Sequence, residues 1–451
     1  MLCAWSALFA STYRYYFFWD DYQQIRPYSW KELQYTLHGW SDPDRFQTPA
    51  YRPLTAFLFA IQGSTFGENV VYQRIFLTFL TWILLCCLAV LLAELRLSFL
   101  QIVIIFGLFV FSRVFACVNM WLTLAPLVLC YIFMVLAGYL FLRWTKRDGV
   151  RDLLLMFICT IAAVFTREEA YVLPIALPLL WFSSTQSRKY WRRVLFPAVG
   201  ALVIVITHIV LRHIFVPDAP APDLTPLKLK MFMISVASSW LPGGYETTGL
   251  ADSLFKVFWL MFLAGLLLIL LTVCRSRSLW RVLGTCCLGV VLTFPALGVP
   301  RSFGVSLATV ASAAAISVII VEASRELQNV GGKASRKWWR YPFVVFTLFG
   351  LTIGISGGIR RSTYVAEALD ENCVLRVEHD AEFIFNMGDP HVTVPEQRNE
   401  VGRDRLRSLG IFNLTDLSRL ADDLSENPEL YERNRQTRAP LFLPKYQFLS
   451  Y

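Results

Sequence analysis

The feature that most constrains this chain is a succession of apolar blocks about 17–25 residues long, the length an α-helix needs to cross a hydrocarbon core. The blocks fall near 1–18, 70–95, 98–113, 119–142, 152–166, 169–183, 194–215, 253–274, 281–299, 303–322 and 341–358. They predict an all-α polytopic membrane protein of about eleven transmembrane helices. Two closely spaced pairs, around Leu97 and Arg167, also read as helices broken inside the protein. Composition agrees: the 451 residues are 56% hydrophobic and 17% charged, and mean hydropathy is +0.50. A soluble domain averages about 45–50% apolar and about 25% charged residues.

The first block starts at Met1 without a basic flank and contains Arg14. Neither the charged start nor the small-residue cleavage site of a signal peptide is clear, so a start upstream of Met1 stays open.

A formal charge of +9 raises nucleic acid as a partner. The basic residues, however, sit in short loops between apolar blocks, where a membrane protein keeps its cytoplasmic Lys and Arg. One alternating set carries Arg143, Lys146, Arg147 and Arg151, then Arg188, Lys189, Arg192 and Arg193, then Arg275, Arg277 and Arg281, then Arg325 to Arg340. The other set offers little beyond Arg113, Arg167 and Arg301. The basic set therefore reads as cytoplasmic. The N-terminus is then inside, and loops 19–69 and 216–252 and the tail 359–451 are extracytoplasmic. Of ten cysteines, most lie within apolar blocks, where Cys acts as a small hydrophobe, and no zinc spacing appears.

The transmembrane domain is expected over 1–358. Loop 19–69 contains two aromatic, amphipathic stretches, Tyr28–Trp40 and Pro53–Ile61. The second opens on a helix-start proline and places Leu54, Phe57, Leu58 and Ile61 on one face, as an interfacial helix would. Loop 216–252 begins Pro-rich and reads as irregular. The tail is expected to be a small α+β lobe or an irregular segment, with a strand-like Val374–Phe385.

Three motifs carry candidate chemistry. Trp19-Asp20-Asp21-Tyr22 puts two carboxylates just outside the first span; such groups take a proton from a hydroxyl or bind a metal, or simply cap a helix exit. Tyr51-Arg52-Pro53-Leu54 sets a guanidinium at the start of an interfacial helix, suited to a lipid phosphate or to plain snorkelling. Thr166-Arg167-Glu168-Glu169-Ala170 sets three charges between apolar runs. At membrane depth that is a functional hypothesis, and its plain alternative is a turn with Arg167 paired to a neighbouring glutamate. Arg113 and Arg301 are weaker candidates, and His208 and His213 read as packing or interface residues.

Taken in order, these pieces resemble the GT-C-type membrane glycosyltransferases. That group contains protein O-mannosyltransferases, TMTC-like proteins and bacterial aminoarabinose or lipopolysaccharide-core sugar transferases. Trp19 to Tyr22 is similar to the acidic motif after the first helix. Tyr51 to Leu54, then Phe66-Gly67-Glu68-Asn69 and Tyr72-Gln73-Arg74, resemble the juxtamembrane helix and the start of the second span. Thr166 to Ala170 with Leu173-Pro174 resembles the family's Ser-Lys-Glu stretch, with Arg167 in place of lysine. The resemblance covers roughly residues 10–185, and the tail has no tetratricopeptide repeats.

The resemblance implies transfer of a sugar from a polyprenyl-phosphate donor to an extracytoplasmic glycan, lipid or protein, with inversion. Asp20 would be the general base, and Asp21 or Glu168 would orient the acceptor, the base or a divalent cation. Arg52, Arg167, Arg113 and Arg301 would neutralise the donor phosphate. A bacterial inner membrane is preferred to the endoplasmic reticulum as the setting. The alternatives are a transporter or flippase for a lipid-linked substrate, and a non-catalytic assembly protein on the same scaffold. If the enzyme reading holds, Asp20, Arg52 and Arg167 should converge on one face.

Overall fold

Apolar runs with few interior Gly or Pro favour long helices once one face packs, and helix is the only regular structure among the described residues. The computed structural model describes residues 24–43, 50–67, 69–110, 118, 122–184, 191–217, 226, 229, 232–233, 236, 239–240, 264–265, 276–295 and 306–330. In chain order the helices are α1 Trp30–Thr36, α2 Pro53–Phe66, α3 Val70–Glu94, α4 Phe99–Val110, α5 Ala125–Arg147 and α6 Val150–Thr166. They continue as α7 Leu173–Ser183, α8 Trp191–Phe215, α9 Ser276–Val291 and α10 Ser306–Val330. Short 3-10 turns, Leu122–Leu124 and Glu168–Val172, precede α5 and α7.

Three segments are long and apolar enough to cross a bilayer: Val71–Glu94, Leu122–Arg147 and Arg193–Phe215. The chain is thus a largely helical membrane protein. Helices α4, α6 and α7 are shorter, at 12, 17 and 11 residues. The breaks expected around Leu97 and Arg167 are present as a left-handed residue at Arg96 (φ 59°) and as the 3-10 turn after Arg167. The expected spans 1–18, 253–274 and 341–358 lie outside the described residues or nearly so, as does the tail with its strand-like segment.

Helices α5 and α6 form the tightest pair. Their hairpin turns at Asp148, which takes left-handed backbone (φ 55°, ψ 25°) and donates its N–H to the Trp144 carbonyl at 2.9 Å. Asp tolerates that conformation better than most residues with a side chain. Around this hairpin pack α3 on one side and α7 and α8 on the other, while α9 pairs with α10 and α7. Tyr131, Phe141, Phe109, Leu84 and Ile105 fill the centre. The outer faces of α3 and α8 expose Phe79, Trp82, Val199, Leu202 and Ile206, as lipid-facing surfaces would.

Ion pairs collect at one end of the bundle. Lys146 pairs with Glu94, Arg193 with Asp148 and Arg143 with Asp152. Arg281 pairs with the buried Glu322 at 3.1 Å and also donates to the Leu95 carbonyl. The described basic-loop residues Arg143, Lys146, Arg193 and Arg281 thus share one end, opposite the end that holds Arg52.

Two local features set that second end. Ser29 and Glu32 cap α1 reciprocally, at 3.3 and 2.6 Å. Helix α2 opens at Pro53 as expected, but its packing face differs from the expected stripe. Leu58 of that stripe is buried, but so are Ala56, Phe59, Ala60 and Gly63, whereas Ile61 is 57% exposed. The reason is close backbone approach: a Cβ on Gly63 would lie 2.0 Å from the Arg26 carbonyl carbon. Small residues, not the larger Leu54 and Phe57, let the 24–28 segment cross the helix.

Candidate functional site at the Arg52 end of the bundle

The site begins at two helix ends. Arg52 lies at the N-terminus of α2, and Thr166 closes α6. Thr55 Oγ1 donates to the Thr166 carbonyl at 2.7 Å, clamping the first turn of α2 to the end of α6. This clamp brings Arg52 to the following turn, where its Nε donates to Glu168 Oε2 at 2.6 Å. The partners are 116 residues apart in sequence, and their side chains are 27% and 18% exposed.

Next to this pair, Arg167 is buried and makes a forked contact with Glu169. Its Nε donates to Oε2 at 3.1 Å and Nη2 donates to Oε1 at 3.0 Å. Two parallel charge-assisted bonds hold the guanidinium plane. Cys130 of α5 places its Sγ 3.6 Å from the Ala163 carbonyl and 3.9 Å from that of Arg167, backing the turn from below.

The last turns of α8 close the cluster. Tyr171 OH and His208 Nδ1 share a hydrogen bond of 2.7 Å. The His208 ring sits among Tyr51, Phe165 and Tyr171, at centroid distances of 5.3, 4.9 and 5.7 Å. Tyr51 also packs on Phe215 and donates its hydroxyl to the Leu37 carbonyl at 2.9 Å. Arg212, one turn beyond His208, brings its charge to bear on Glu168 and Tyr171.

Electrostatics follow from this crowding. Burial would raise the Glu168 pKa, but Arg52, a backbone N–H and Arg212 outweigh it and hold the carboxyl down to about 2. Burial would lower that of Arg167, yet Glu169 and Glu168 push it up, so the guanidinium stays charged. Behind α2, Gln62 and Gln73 join α2 to α3. Gln62 donates to Gln73 Oε1 at 3.1 Å, and Gln73 donates to the Gln62 and Gly67 carbonyls at 3.1 and 2.9 Å.

Of the residues singled out in the sequence, Arg52, Arg167 and Glu168 meet here. Asp20, Asp21, Arg113 and Arg301 lie outside the described residues. Arg167 is paired with its neighbour Glu169, the plainer of its two expected roles. A divalent cation does not fit the described carboxylates, since Glu168 and Glu169 are each engaged by an arginine, and among the described residues no three metal-ligating side chains gather. The sequence reading missed Tyr171 and Arg212 and took His208 as packing. Their signal was the four-residue spacing of His208 and Arg212 near a span end, which puts both on one helix face.

No protein-family model, curated protein or solved structure matches the chain.

Proposed function

We propose that this protein is a membrane glycosyltransferase of about eleven spans that moves a sugar from a polyprenyl-phosphate donor to an extracytoplasmic acceptor. The basic-loop end of the bundle faces the cytoplasm in this reading, and the Arg52 end faces outward. Asp20 is the general base, with Asp21 and Glu168 orienting the acceptor. Arg52 is a donor-phosphate ligand, supported by Arg113 and Arg301.

The observation that carries the reading is the meeting of Arg52 with Glu168 beside Arg167. Motifs far apart in the chain supply charged groups to one end of an apolar bundle. An anionic headgroup anchored in lipid would approach such an end from the side. Charge gathered at one end, rather than at the midplane, suits an interfacial enzyme better than a transporter.

The test is reconstitution of the full chain in liposomes with a panel of polyprenyl-phosphate sugars, following donor consumption. At least one donor is expected to be consumed by the wild type and none by Asp20→Asn. Wild-type rates in that variant, or no consumption of any donor by well-folded protein, would overturn the reading. Arg52→Ala is expected chiefly to raise the donor concentration required.

A further inference from the structure

Three arginines gather at the Arg52 end, and two of them have a carboxylate. Arg52 holds Glu168 and Arg167 holds Glu169. Among the described residues Arg212 has no such partner, and its Nε is buried without a hydrogen bond. The cluster formed by these five side chains therefore carries an excess positive charge. A buried, unpaired donor on a cation costs free energy unless a ligand completes it.

His208 adds a second orphan. The 2.7 Å contact between Tyr171 and His208 Nδ1 admits a hydroxyl that donates to the ring. The neutral imidazole then carries its own proton on Nε2. His208 is fully buried, and among the described residues Nε2 has no partner at hydrogen-bond geometry, though the Tyr51 backbone interacts with the ring. With the proton on Nε2, both groups are donors, the chemistry of an oxyanion site.

The surroundings indicate how the oxyanion is carried. On the flank of α8 nearest Arg212, Ile209 and Leu202, three and ten residues before it, are each 45% exposed. They offer apolar surface for a hydrocarbon tail next to the cation.

We propose that Arg212, with His208 beside it, binds the phosphate of a phosphate monoester or diester borne on a lipid tail that lies along the exposed face of α8. The site deepens the transferase reading, on which it rests, by giving the donor phosphate a ligand that pairs with no carboxylate among the described residues. The fork of Arg212 suits two phosphate oxygens. Glu168 keeps Arg52 from closing on the ligand unless the phosphate draws it away.

The experiment uses the full chain in detergent, with farnesyl phosphate as probe, farnesol as the same tail without charge, and inorganic phosphate as the charge without a tail. Binding is read by ligand-induced thermal shift, with no sugar and no acceptor present. Farnesyl phosphate is expected to stabilise the wild type where farnesol does not. Arg212→Gln is expected to weaken its apparent Kd by about 10- to 100-fold. Competition by inorganic phosphate with the same Arg212 dependence also supports the site and assigns the specificity to the headgroup. Equal responses to farnesol and farnesyl phosphate, or an unchanged affinity in Arg212→Gln, overturn it. If Arg212→Gln does not fold, Arg212→Lys, which keeps the charge and loses the fork, must still weaken binding, and wild-type affinity there overturns the proposal. Binding through Arg212 in a chain that consumes no donor sugar would leave this site standing and remove the transferase.

Discussion

Arg167 and Glu168 are adjacent in sequence yet answer to different partners, and that division governs what each substitution does. Arg167 is 9% exposed with both ends of its fork on Glu169. Arg167→Ala leaves a buried carboxylate unpaired, so a loss of about 3–5 kcal/mol in unfolding free energy is expected, measured by denaturation in detergent. The same loss in Arg167→Lys would show that the fork, not the charge, matters. Glu168 sets a pH dependence whose sign follows from its depressed pKa. The carboxyl ordinarily titrates at 4.5 and is held down to about 2 in the fold. Its contribution is therefore present above about pH 4.5 and lost as pH falls toward about 2, on the order of 3 kcal/mol at most. The wild type should lose stability across that window more steeply than Glu168→Gln. Parallel curves for the two would mean that Glu168 is not held down by its arginines.

At the scale of the element, α2 shows how a glycine fixes an approach angle. Gly63→Ala drives a methyl into the Arg26 backbone, where nothing flexible can yield. A loss of about 1–3 kcal/mol is expected, with the 24–28 segment displaced. By contrast the close contact at Gly138 is the Leu180 Cδ2 end, at 2.9 Å, with Leu91 at ordinary distance, and a side-chain end can rotate away, so Gly138→Ala should cost less. Thermal unfolding of the two variants side by side checks the order. If Gly63→Ala matches the wild type, the crossing of α2 by residues 24–28 is wrong. The Thr55 bond to Thr166 predicts a functional echo, since Thr55→Val loosens the α2–α6 clamp that delivers Arg52 to Glu168.

At the scale of the whole molecule, the two ends of the bundle differ in kind. One end is laced by Glu94–Lys146, Asp148–Arg193, Asp152–Arg143 and Glu322–Arg281, and these pairs join helix ends from α3 to α10. The other end gathers Arg52, Arg167, Arg212 and His208 around two glutamates. If the first is cytoplasmic, Arg147→Cys should react with an impermeant maleimide in inverted vesicles, and His213→Cys in right-side-out vesicles. Both positions are exposed. The reverse pattern would invert the orientation and place the Arg52 site inside the cell.

The sequence by itself determined the helical, membrane-embedded character, because a run of apolar residues long enough to span lipid is a local property. It also showed an alternation of basic and weakly charged loops, of which Arg143, Lys146, Arg193 and Arg281 meet at one bundle end, and it marked Arg52, Arg167 and Glu168. Partner choice was not legible. A run of Arg-Glu-Glu does not say which glutamate each arginine holds, since Glu168 is claimed by a residue 116 positions away. Nor does an apolar stripe on α2 reveal that Ala56, Ala60 and Gly63 pack alongside Leu58 and Phe59 while Ile61 stays exposed. His208 and Arg212 sat inside a predicted span, where His208 read as a packing or interface residue and Arg212 was not singled out. Only the tertiary structure, by bringing the end of α8 against Tyr51 and Tyr171, left Arg212 Nε and His208 Nε2 without partners among the described residues, because electrostatic partnership is set by distance in space, which local sequence does not encode.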